Sequence, residues 1–101
     1  DEVAYEPDAA RKFLAADALP ALKTLTARLA ALEDYTEQAL EEAFKAVMAE
    51  TGLKLGKIAQ PVRVALSGRA ASPGIFEITA IIGKAKTLAR LRRAIAHIEG
   101  R

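Results

Sequence analysis

Hydrophobic positions along the chain recur at helical rather than strand spacing. Leu22, Leu25, Leu29 and Leu32 form one stripe that begins just after Pro20, which predicts a helix starting there. Before it, Pro7 and Asp8 open a short helix that carries Phe13 and Leu14 inward and stops near Asp17. Glu33-Asp34 break the second helix. Thr36 then caps a third, with Glu37 in its first turn and Leu40, Ala43, Phe44, Val47 and Met48 turned inward. Gly52 is placed to end it in a left-handed cap.

The segment Lys54–Gly68 is less plain. Val62-Arg63-Val64-Ala65-Leu66 alternates enough to pass for a strand, yet Leu55, Ile58, Ala59, Val62, Ala65 and Leu66 share one helical face. No partner strand is evident elsewhere, so the segment reads as helix, with Pro61 imposing a break or bend near Gln60. A helix from Pro73 to Ile82 follows, apolar nearly all round, and so expected to be the buried centre of this half. The last helix runs from about Ala85 to His97. Leu88, Leu91, Ile95 and Ile98 share one face, and Lys86, Arg90, Arg93 and His97 the opposite one. That basic stripe reads either as a solvated face or as a surface for phosphates. The fold class expected is all-α, a compact bundle of about six short helices.

Between the fourth and fifth helices lies Arg69-Ala70-Ala71-Ser72-Pro73-Gly74-Ile75-Phe76. Ser72 suits an N-cap and Pro73 the first helical position, where its missing N–H has no partner to lose. A helix start points free N–H groups and a partial positive charge outward, which suits an anion or a nucleotide.

Composition narrows the class. The 101 residues suit a single domain, 51% hydrophobic and 28% charged, an ordinary globular balance. The chain holds no cysteine and one histidine, so a disulfide framework, thiolate chemistry and a structural zinc site are not expected. No run reaches the roughly 20 apolar residues of a membrane span. A net charge of +2 conceals a division. Residues 1–50 hold 5 Lys and Arg against 11 Asp and Glu, a balance of −6, and residues 51–101 hold 10 against 2, a balance of +8. The chain thus divides into acidic helices over 1–52 and a basic half over 53–101. A polyanion is expected at the second half, unless the two halves simply attract within the fold. Glu37, Glu41 and Glu42 lie on an outer face with no nucleophile or cleft signature nearby, so acid–base catalysis is not expected of them. His97, on the basic face, reads as a surface residue. Ile98-Glu99-Gly100-Arg101 match the recognition sequence of a protease used to remove purification tags, so residues 98–101 are open to being a tag remnant.

Several punctuation points agree with one family at once. Leu53-Lys54-Leu55-Gly56-Lys57-Ile58-Ala59-Gln60-Pro61-Val62-Arg63-Val64-Ala65-Leu66-Ser67-Gly68, then Ser72-Pro73-Gly74-Ile75-Phe76-Glu77, then Ile82-Gly83-Lys84 and Leu88-Ala89-Arg90-Leu91 resemble, in order and spacing, the C-terminus of bacterial glutamyl-tRNA synthetase. The resemblance covers roughly the second half of the chain. The first half is compatible with that family's preceding helices and too generic to identify anything.

The resemblance implies an all-helical anticodon-binding subdomain that binds the anticodon loop of tRNA(Glu) beside the rest of a cytoplasmic synthetase. It implies Ser72, Pro73, Gly74 and Ile75 as the residues facing the anticodon bases, with Phe76 turned to the core. Gly74 permits close backbone approach, while Pro73 and Ile75 offer apolar surface for splayed bases. Arg69, Lys84 and Arg90 are candidates for tRNA backbone contacts from charge and position. Arg63 lies inside the matched pattern, where it serves equally well to hold two helices together. No His-Ile-Gly-His-type or Lys-Met-Ser-Lys-type motif is found in these residues. The expectation is a fragment with no catalytic residue, metal site or cofactor of its own, its parent using ATP and Mg2+. A helical protein-interaction module with no nucleic-acid role is the alternative.

Overall fold

The computed structural model describes residues 3–70 and 74–100, and these form six α-helices with no strand among them. Helix α1 spans Pro7–Phe13, with Pro7 in its first turn, Asp8 beside the positive end of the helix dipole and Arg11 and Lys12 beside the negative end. Leu14 follows, fully buried, and a single 3-10 turn at Ala16–Ala18 leads directly into α2, Leu19–Ala30. The leucine stripe does what its spacing dictates: Leu22, Leu25 and Leu29 are buried and Leu32 half-buried. Helix α3, Glu37–Thr51, starts on a side-chain cap, the Thr36 hydroxyl oxygen accepting the Ala39 N–H at 3.1 Å. It ends at Gly52, in the left-handed region as expected.

Helix α4 runs unbroken over Leu55–Ser67, so of the break or bend expected near Gln60 the break does not occur. Pro61 removes the N–H that would reach the Lys57 carbonyl. Lys57 is exposed, where water can serve that oxygen, and the ring itself is buried. Helix α5, Ile75–Ile82, and α6, Lys84–Glu99, are separated by one residue, Gly83. Its φ of 92° with ψ of 158° is a conformation open in practice only to glycine, and it makes the corner.

Helix α2 lies between α3 and α6, α4 packs on α6 and α1, and α5 leans across α3 and α6. The buried centre of the second half is therefore α4 and α6. The expectation that α5 would fill this place is corrected: Ile75 and Thr79 are buried, Glu77 is exposed, and Ile81 is 76% exposed. An eight-residue helix at the edge of a bundle meets neighbours along one side only. Its apolar surplus stays outside.

Candidate nucleic-acid interface

The connection from α4 to α5 is built on a fully engaged helix end. The Gly68 N–H reaches the Val64 carbonyl at 2.8 Å, with φ of 83° at Gly68. The Ser67 hydroxyl donates to the Arg63 carbonyl at 2.8 Å and accepts the Arg69 N–H at 3.4 Å. The backbone is thereby turned so that the Arg69 side chain is exposed while Ala70 tucks against the core. On the far side of the connection Gly74 is exposed and extended, with φ of −48° and ψ of 137°. It stands at the N-cap of α5, and no side chain among the described residues caps that helix. A Cβ built on Gly74 would meet nothing within 4 Å. Among the described residues nothing covers this helix start, which carries backbone donors and the positive end of a dipole.

Ser72 and Pro73 lie outside the described residues. The extended backbone of Gly74 places the helix start at Ile75, two residues later than the sequence suggested. Ile75 is 4% exposed, so its side chain is a core group and cannot offer the apolar surface expected of it; only its backbone faces the connection. Phe76 is half-buried, its ring edge-on to Phe44 with centroids 5.3 Å apart. The apolar surface expected at the start of α5 is therefore reduced, because Ile75 and Phe76 both pack against the core.

Lys84 and Arg90 do not stand free for phosphates. The Lys84 ammonium donates to the Leu32 carbonyl at 2.6 Å, and Arg90 donates to the Leu66 carbonyl at 2.9 Å. Both cations serve carbonyls at the C-terminal ends of α2 and α4, where orphan acceptors and the negative dipole end attract them. The basic stripe of α6 is likewise covered in part. Arg93 is half-buried, donates to the Val3 carbonyl at 2.6 Å and lies 4.8 Å over the Tyr5 ring. His97, exposed, meets the same ring edge-on at 5.1 Å. Arg69 and Lys86 remain exposed, as does Arg92, which the stripe did not include. Lys54 and Lys57 lie at the other end of α4, roughly 20 Å from the connection by helical rise, and rim a groove with Lys12 over Phe13 and Pro61.

Two polar groups escaped the sequence reading. The Tyr35 hydroxyl lies 3.1 Å from the Thr79 carbonyl and 3.0 Å from the Thr87 hydroxyl, joining the loop after α2 to both α5 and α6. Burial pushes its pKa up, the Thr87 hydrogen bond working the other way. Tyr5, whose pKa burial also raises against the pull of Arg93, holds its hydroxyl buried with no hydrogen-bond partner among the described residues. A tyrosine between two polar runs carries no periodic signal.

Fold and surface together define a class: a small all-helical domain with exposed arginines beside the start of α5 and on α6. The chain belongs to the anticodon-binding domain family, whose profile matches residues 1–95. It is 50% identical over 95 residues to the glutamate–tRNA ligase of Thermodesulfovibrio yellowstonii, covering 94% of this chain and 20% of that protein. It is 50% identical over 99 residues to the ligase of Syntrophobacter fumaroxidans, covering 98% and 21%. The ligase of Thermus thermophilus matches over 80 residues at 51%, covering 79% and 17%. The chain thus spans about a fifth of the length of the curated relatives it matches. The solved glutamate tRNA ligase of Elizabethkingia meningosepticum shares the fold, with a TM-score of 0.86 at 24% identity over 94% of this chain and 19% of that one.

Proposed function

We propose that this domain binds the anticodon loop of tRNA(Glu) and serves a glutamate–tRNA ligase by recognition rather than by chemistry. The observation that carries the reading is the start of α5, without a side-chain cap among the described residues and flanked by Gly74 and Arg69, in a chain of the anticodon-binding family. An unpaired base can approach Gly74 closely because no Cβ intervenes, and the first N–H groups of α5 are oriented as donors toward its edge. Arg69 supplies a charge for the loop phosphates. Ser72 and Pro73 complete the proposed reading edge from their place in the motif. The ATP- and Mg2+-dependent chemistry belongs, on this reading, to the remainder of such a cytoplasmic ligase. Family membership does not favour the protein-interaction alternative.

An NMR titration tests the proposal. A tRNA(Glu) anticodon stem-loop is expected to shift the amides of Arg69, Ala70 and Gly74 to Glu77 more than a stem-loop of scrambled sequence does. Equal shifts from both, or none, overturn it.

A further inference from the structure

We propose that the N-terminal segment Val3–Glu6 is a positioning strap for the α4–α5 connection, with Gly68, Tyr5 and Arg93 as positioning residues for the RNA recognition proposed above, on which this inference rests. The segment is gripped on two sides. On one, the Glu6 N–H donates to the Gly68 carbonyl at 2.8 Å. A Cβ built on Gly68 would fall 2.1 Å from the Ala4 carbonyl oxygen and 3.1 Å from its carbon, so the strap occupies the space a side chain would need. On the other, Arg93 holds the Val3 carbonyl at 2.6 Å and covers the Tyr5 ring, which His97 meets edge-on. Arg90 ties the same end of α4 to α6 through the Leu66 carbonyl. The point at which the chain leaves α4 toward Arg69 is therefore clamped between the strap and α6.

A helix end does not need this clamp in order to form. Gly52 closes α3 with the same left-handed geometry, φ of 74°, and nothing lies within 4 Å of where its Cβ would be. The two caps are alike in backbone chemistry, and the one beside the proposed reading edge carries the strap. The opposite border of the connection is held to the same helix, since α5 joins α6 through Gly83 alone and Tyr35 bridges Thr79 and Thr87. Both borders are thereby referenced to α6, and the strap sets the register of the first.

The paired substitutions Gly68→Ala and Gly52→Ala, made in the full chain, separate position from stability. Each places an alanine in a left-handed cap, and only Gly68→Ala displaces the strap. In the free protein, Gly68→Ala is expected to shift the amides of Arg69, Ala70 and Gly74, and to weaken binding of the anticodon stem-loop about fivefold or more. Gly52→Ala is expected to leave both unchanged. Arg93→Met, which keeps the aliphatic stem and removes the donor, is expected to act like Gly68→Ala, and Arg93→Lys to restore most of the affinity. It decides the question should Gly68→Ala fail to fold. Amides and affinity in Gly68→Ala or Arg93→Met no different from those in Gly52→Ala overturn the strap. If the unaltered chain shows no preference for the cognate stem-loop, the functional reading fails instead. The strap then stands or falls on the free-protein shifts alone.

Discussion

At the scale of single residues, what decides function is whether a cation is free or already engaged. Lys84 and Arg90 read as phosphate contacts from charge and position, but each donates to a carbonyl at a helix C-terminal end through a part-buried hydrogen bond. Lys84→Met is therefore expected to cost about 1–2 kcal/mol of stability, read from urea midpoints, and to leave the salt dependence of RNA binding unchanged. Gly74 behaves oppositely. Its extended backbone suits any residue and its Cβ position is open, so Gly74→Val is expected to leave stability within about 0.5 kcal/mol while weakening selective binding of the anticodon loop. Filter binding against cognate and scrambled loops distinguishes the two variants.

At the scale of elements, α5 is the exposed member of the bundle. Ile81→Lys is expected to change the unfolding midpoint by no more than about 0.5 kcal/mol, whereas the same substitution at a central α4 position would unfold the chain. The tyrosines that bind elements together predict an alkaline limit. Both phenols are raised above 10.0 by burial, so folding favours their neutral forms. That contribution is fully present below 10.0 and is lost as pH rises through the folded values. Tyrosinate absorbance is expected to appear above pH 10.0, with unfolding free energy falling over the same range. Tyr35→Phe, which loses the bridge between Thr79 and Thr87, is expected to cost about 1 kcal/mol at neutral pH and to flatten that fall.

At the scale of the whole molecule, the division of charge survives folding. Lys23–Glu99, 2.8 Å apart, takes its base from the acidic half and its acid from the basic half, and Arg28–Glu50 lies within the acidic half. Neither pair alters the balances of −6 and +8. Such exposed pairs contribute little, about 0–1 kcal/mol each. Added salt is therefore expected to leave the thermal midpoint nearly unchanged while RNA affinity falls by roughly 0.7 in log–log slope per phosphate contacted. A parallel loss of both would mean that ion pairing holds the halves together.

Helix number, most helix limits and the caps at Thr36 and Gly52 were legible in the sequence, because they depend on neighbours three or four residues apart. The family was legible too, since its motif punctuates the chain in order. Which cations remain free, and which face of α5 is wet, was not. Arg93 meets Val3 across 90 residues and Lys84 meets Leu32 across 52, pairings on which local spacing is silent. The place of the connection was local chemistry; its clamping by the N-terminal segment belongs to the tertiary fold, because a backbone carbonyl carries no signature until another helix end needs it.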